Sequence, residues 1–208
     1  MRILKASQSS MSDAIRVIKI GGLIVYPTDT VYGLGCDPFN TLAVKRLIDA
    51  KGERKKPLPI LASDIEHVKI VAEVTEAAEK LAREFWPGPL TMVLKRKPRL
   101  PEIVTFGHDT VGVRVPNHPF ALELLRLCDG ILVGTSANTS GKPSAVTAEE
   151  AAKQLGHEVD LILDGGRSPL GKSSTVVNLT DRRVKVERVG PISLKEIKSI
   201  LVGCFFRL

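Results

Sequence analysis

The chain has 208 residues, of which 43% are hydrophobic and 25% charged, proportions that exclude a disordered polypeptide and supply enough length for one well-buried domain. Thirty Lys and Arg against 23 Asp and Glu give a formal net charge of +7, which suits an anionic partner such as a phosphate ligand or nucleic acid. Cys36, Cys128 and Cys204 are widely separated with no Cys-x-x-Cys pair, and His67, His108, His118 and His157 show no metal-ligand spacing, so neither a disulfide framework nor a structural metal is expected.

The opening Met-Arg-Ile-Leu-Lys is too polar for a signal peptide, and no run of eighteen apolar residues follows anywhere, so a cytoplasmic protein without membrane contact is expected. A helix is expected from about Ser12 to Ile20, ended by Gly21-Gly22. A short apolar strand follows from Leu23 to Tyr26, and Pro27, lacking a backbone donor, takes the chain out of the sheet. The next stretch, Thr28-Asp29-Thr30-Val31-Tyr32-Gly33-Leu34-Gly35, sets hydroxyls, a carboxylate and two glycines at the strand's end. That composition fits a ligand-binding loop and equally a polar turn between strand and helix. Helices are expected from about Thr41 to Ala50, Thr75 to Phe85 and Pro119 to Cys128. Ser63-x-x-Glu66, Thr147-x-x-Glu150 and Ser193-x-x-Glu196 read as capping boxes that start three more. Further strands are expected at Leu58 to Leu61, Leu90 to Leu94, Val111 to Arg114, Ile131 to Val133, Leu161 to Leu163, Thr175 to Asn178 and Val184 to Arg188. The last two follow one another without a helix between, which predicts an α/β fold with a mixed, open sheet and helices on its faces. Lys97-Pro98-Arg99-Leu100-Pro101, with two prolines and three charges, is the best candidate for a mobile loop. One domain is expected over residues 1–200, with 201–208 as a tail.

Three segments bear on chemistry. Gly166 to Ser173 matches the phosphate-loop pattern of Gly, four residues, Gly-Lys-Ser, but that motif needs a helix after it, and Ser174-Thr175-Val176-Val177-Asn178 reads as a strand. Pro169 also removes a backbone donor from the would-be cradle. Val133 to Ser144 again empties an apolar strand into small hydroxyl residues, an amide and a glycine, whose short side chains let donors converge on a ligand. In Asp109 to Pro116, Arg114 stands on an otherwise apolar alternating strand. Its planar fork suits a carboxylate or phosphate of a ligand, or an internal ion pair with one of the Asp and Glu residues.

Taken in order, Tyr-Pro-Thr-Asp-Thr-Val-Tyr-Gly-Leu-Gly at 26–35, Lys-Gly-Glu-Arg-Lys-Lys-Pro-Leu at 51–58, Trp-Pro-Gly-Pro-Leu-Thr at 86–91, Val-Gly-Val-Arg-Val-Pro at 111–116, Thr-Ser-Ala-Asn-Thr-Ser-Gly at 135–141 and Ser-Ser-Thr-Val-Val-Asn at 173–178 resemble the motifs of the YrdC family, from about residue 10 to Pro191. The resemblance implies a twisted open sheet with a concave basic cleft and L-threonylcarbamoyladenylate synthase activity. The substrates would be L-threonine, bicarbonate and ATP with Mg2+, and the product would feed the threonylcarbamoyl-transferase machinery that modifies adenosine in transfer RNA. An RNA-binding paralogue of the same fold without efficient synthase activity is the alternative. By the resemblance, Thr30, Arg114, Gly134 and Ser174 form the threonine pocket, with Arg114 on the substrate carboxylate. Lys51 and Arg54 face the triphosphate, and Lys56, Thr110, Ser136, Asn138, Ser144 and Arg188 line the nucleotide. Lys51, Arg54, Ser136 and Asn138 are the catalytic candidates. The chain departs from the family pattern at Glu53, where an arginine is expected and Arg54 lies one place later. It departs again at Leu61, where some members carry a histidine.

Overall fold

A computed structural model describes residues 1–52, 56–181, 183–202 and 205–207. Among these residues the strands are β1 (Arg2–Lys5), β2 (Ile24–Tyr26), β3 (Gly33–Gly35), β4 (Ile60–Ala62), β5 (Leu90–Lys95), β6 (Thr110–Arg114), β7 (Ile131–Val133), β8 (Thr135–Ser136), β9 (Leu161–Asp164), β10 (Thr175–Asn178), β11 (Arg183–Arg188) and β12 (Phe205–Arg207). The helices are α1 (Gln8–Lys19), α2 (Thr41–Lys51), α3 (Ile65–Val71), α4 (Glu76–Phe85), α5 (Glu102–Thr105), α6 (Pro119–Leu127), α7 (Ala148–Leu155) and α8 (Leu194–Ile200).

The strands form two mixed sheets rather than one. A five-stranded sheet runs β1-β9-β2-β3-β8, and a seven-stranded sheet runs β12-β11-β10-β5-β6-β4-β7. In the first, β2 pairs parallel with β9 and antiparallel with β3. In the second, β5 pairs antiparallel with β6 and parallel with β10. The single sheet expected from the sequence divides at Gly134, between β7 and β8, where the chain leaves one sheet and enters the other. Gly134 N donates to Pro59 O at 2.9 Å, and a Cβ there would lie 2.2 Å from Leu61 Cγ, so only glycine lets the chain cross so close to β4. Both sheets nevertheless share one core: Val25, Leu34 and Ile162 from the first pack in the same cluster as Ile60, Leu90 and Val113 from the second.

The sequence expectations need correction at several boundaries. Helix α1 starts at Gln8, four residues before Ser12, after Ser7, whose backbone N donates to Ser10 Oγ at 3.1 Å. The cap of α3 is Asp64 rather than Ser63. Its Oδ1 accepts from His67 N at 2.9 Å, and Glu66 is drawn away to Lys69 at 2.8 Å. Thr147 caps α7 as expected, but the Glu150 carboxylate accepts from Val146 N, one residue further out than a capping box requires. The Ser193 and Glu196 box is complete. The Lys97 to Pro101 segment is tied down: Lys97 N donates to Val71 O, Lys97 Nζ donates to Lys69 O, and Leu100 is fully buried.

Candidate functional site

The two sheets enclose a cleft of about 630 Å3. One wall is the loop between β2 and β3. After Pro27 the chain turns through Thr28 to Tyr32, then returns antiparallel to β2 as β3, so the polar segment is the tip of a hairpin rather than a link from strand to helix. The turn holds itself together. Thr28 Oγ1 donates to Val31 O at 2.6 Å, accepts from Thr30 N at 3.3 Å and lies 3.2 Å from Thr30 Oγ1. Gly35 is needed for close approach, since a Cβ would lie 2.5 Å from Val133 O. Tyr32 supports the wall from behind: its hydroxyl donates to Gly166 O at 2.6 Å, and burial pushes its pKa up to about 12.

Arg114, at the end of β6, joins this wall to the second sheet. Its Nε donates to Gly88 O at 2.9 Å, Nη1 to Thr30 Oγ1 at 2.7 Å and Nη2 to Asp29 Oδ1. The side chains of Arg114 and Asp29 are each 7% exposed. The ion pair and the ligand-facing position, alternatives on sequence grounds, coexist here. Burial pulls the Arg114 guanidinium below its ordinary range, and the Asp29 carboxylate opposes that shift. A desolvated guanidinium beside a polar cleft is a strong site for a second carboxylate or a phosphate.

At the other wall, β10 starts beside β5, which places Ser174 against Thr91 with their hydroxyl oxygens 2.7 Å apart. Arg188 wraps the same corner, Nε donating to Ser174 O at 2.9 Å and Nη2 to Ser174 Oγ at 3.2 Å. Burial lowers the Arg188 pKa as well. Arg188 therefore belongs to the cleft.

Of the residues singled out in the sequence, the structure brings Thr30, Lys56, Thr110, Arg114, Gly134, Ser136, Ser144, Ser174 and Arg188 to the lining of this one cleft. Lys51 and Asn138 lie behind it. The Lys51 ammonium, at the end of α2, donates to Ser136 O at 2.6 Å and Asn138 O at 2.5 Å. Asn138 Nδ2 donates to Thr139 O and Lys142 O, both at 2.8 Å. Together they shape the loop that presents Ser136. Arg54 lies outside the described residues. Sequence reasoning did not single out Thr91, Pro59, His108, Asn178 or Glu187, which also line the cleft. For Thr91 a signal existed: in Leu90-Thr91-Met92-Val93 the strand period sets Thr91 and Val93 on the face opposite Leu90 and Met92.

The Gly166 to Ser173 segment runs as loop into β10, so the helix that a phosphate loop requires is absent there. The Ser63, Asp64 and His67 side chains do meet, but His67 Nδ1 faces both Ser63 Oγ at 3.0 Å and Asp64 Oδ1 at 2.8 Å, the arrangement of a helix cap rather than a nucleophile relay. Among the described residues no group of three or more His, Cys, Asp and Glu stands together as a metal site, and no helix is long and apolar enough to cross a membrane.

A mixed α/β fold whose two sheets meet at a polar cleft, with Arg114 and Arg188 both reaching it from the seven-stranded sheet and hydroxyls around them, makes a site whose chemistry suits small anionic ligands. Residues 16–190 match the Sua5_yciO_yrdC family model, described as telomere recombination, and the chain belongs to that family. It is 41% identical over 186 residues to a threonylcarbamoyl-AMP synthase of Pyrococcus abyssi, covering 88% of this chain and 55% of that protein. A threonylcarbamoyl-AMP synthase of Pseudomonas aeruginosa is 40% identical over 174 residues, covering 82% of this chain and 93% of that one. The crystal structure of P. abyssi Sua5 complexed with L-threonine superposes with a TM-score of 0.94 at 37% identity, covering all of this chain and 63% of that one. The chain thus spans little more than half the length of the P. abyssi protein.

Proposed function

We propose that this chain is a nucleotidyltransferase that forms L-threonylcarbamoyladenylate and pyrophosphate from L-threonine, bicarbonate and ATP. The observation that carries the reading is the single cleft lined by Thr30, Arg114, Ser174 and Arg188 together with Lys56, Ser136 and Ser144. Support comes from relatives named threonylcarbamoyl-AMP synthase and from the relative solved with L-threonine.

In this reading Arg114 takes the substrate carboxylate beside the Thr30 hydroxyl. The threonine amine and bicarbonate give a carbamate and water. A carbamate oxygen then attacks the α-phosphorus of ATP, the bond to the bridging oxygen breaks, and its electron pair leaves with pyrophosphate. That sequence needs no side-chain nucleophile. It asks the protein to align the two reactants and to balance charge on the phosphate oxygens, which cations and short hydroxyl side chains do. Lys56 and Arg188 supply the charge, Thr110, Ser136 and Ser144 the hydroxyls, and the Lys51 ammonium the fixed backbone on which Ser136 rides. Mg2+ arriving with ATP would neutralise phosphate oxygens and belongs to the nucleotide rather than to a side-chain cluster. The product would serve the transferase that modifies adenosine in cytoplasmic transfer RNA, and the net charge of +7 suits contact with RNA.

The test is incubation with threonine, bicarbonate, magnesium and ATP, reading pyrophosphate and the adenylate. Threonine-dependent release of both is expected, while ATP turnover that ignores threonine and bicarbonate would sink the proposal.

A further inference from the structure

We infer that Asp29 is a positioning residue that acts on the amino-acid substrate through Arg114, an inference that rests on reading the cleft as a threonine site. A guanidinium has five N–H donors. In Arg114 three are committed, to Gly88 O, Thr30 Oγ1 and Asp29 Oδ1. Two remain, one on each Nη, and Arg114 lines the cleft. A carboxylate accepts best from a planar pair of such donors, so the plane in which Arg114 is held decides whether the substrate meets a fork or a single hydrogen bond.

Asp29 sets that plane. Its Oδ1 accepts from Arg114 and, at 3.1 Å, from Asn117 N in the turn after β6, while its backbone O accepts from Leu170 N at 3.0 Å. Asp29 is therefore held at its carboxylate by the turn after β6 and at its backbone by the segment carrying Leu170. Its Oδ2 is buried with no hydrogen-bond partner among the described residues. A buried carboxylate present only for stability would be expected to satisfy both oxygens, because an unpaired buried acceptor is unfavourable. Here one oxygen goes unpaired while the other aims the arginine, and the carboxylate offsets the desolvation of the guanidinium before any substrate arrives.

Asp29→Asn keeps the shape and removes the charge. Replacing a charge-assisted hydrogen bond with a neutral one is expected to raise the threonine KM roughly tenfold and to leave the ATP KM within about twofold. In an Arg114→Lys background the same change should add little, since the fork it positions is already gone. Nitrogen-15 NMR of the Arg114 guanidinium provides a readout without substrate: the Nη signals, resolved in the wild type by fixed hydrogen bonds, should broaden or merge in Asp29→Asn. Should that variant not fold, Asp29→Glu, which keeps the charge but displaces it, is expected to give the same KM split. Equal rises in both KM values, or additive effects in the Arg114→Lys background, would reduce Asp29 to a structural ion pair and overturn the inference. Unmoved Arg114 signals in a folded Asp29→Asn protein would do the same. If the wild type shows no threonine-dependent turnover the functional reading falls, and the NMR comparison still decides whether Asp29 orients Arg114.

Discussion

Lys51 shows how a buried residue can matter to a site through the backbone it holds. An ammonium buried to 1% exposure has given up its hydration, and it recovers hydrogen bonds from the carbonyls of Ser136 and Asn138. Those carbonyls belong to the end of β8 and the loop that follows it, so α2 is pinned to the wall that carries Ser136. Lys51→Met, close in length and uncharged, leaves buried acceptors without their donor and is expected to lower unfolding stability by about 2–3 kcal/mol. Urea denaturation measures this, and a loss below ~0.5 kcal/mol would show that the loop holds without the clamp. Lys51→Arg should also fail to restore the wild type, since a planar fork does not fit where three tetrahedral donors converge on neighbouring carbonyls.

The elements carry a second lesson, clearest at α3. The sequence offers Ser63 with Glu66 as a capping box, but Asp64 lies next in line and its carboxylate reaches His67 N. Burial works to raise the Asp64 pKa, yet hydrogen bonds from His67 and Ser63 outweigh it and the net direction is downward. A carboxylate with a depressed folded-state pKa contributes stability above its unfolded pKa and loses it as pH falls through the folded value. Asp64→Ala is therefore expected to cost about 1 kcal/mol at neutral pH and less as the solution is acidified, while Glu66→Gln changes stability by under ~0.5 kcal/mol. Denaturation at pH 7 and pH 3 separates the two, and equal effects would restore the Ser63 box. Such slips mark what was legible. Long strands and helices, among them β5, β6, α2 and α4, were readable because apolar period and caps agree. β3 and β8 were not, since Gly33-Leu34-Gly35 and Thr135-Ser136 have turn composition and become strands only by pairing with β2 and with each other. Thr30, Arg114 and Ser136 stood out as polar residues at strand ends, whereas Ser174 was named only through the family resemblance. Asp29 was not assigned a role because its partner lies 85 residues away in sequence.

At the scale of the whole molecule, the cleft sits where two sheets meet over a shared core rather than in one of them. Val25 and Leu34 pack in the same cluster as Ile60 and Val113, and Arg114 of the seven-stranded sheet bonds Thr30 and Asp29 of the loop from the five-stranded one. A ligand held between Arg114 and Thr30 therefore stabilises contacts on which both sheets depend, and its binding energy should appear in global unfolding. Threonine at a hundred times its dissociation constant should add about 2.7 kcal/mol to the folding free energy. For a chain of this length that corresponds to a rise in Tm of roughly 5–10 °C. Calorimetry should show one transition, with and without threonine, moving as a unit. Two transitions, of which threonine moves only one, would mean that the sheets unfold separately and that the core they share does not couple them. In Arg114→Lys the threonine-dependent rise should shrink sharply while the melting profile stays single, because the substitution removes the fork that bridges cleft and core without removing the core itself.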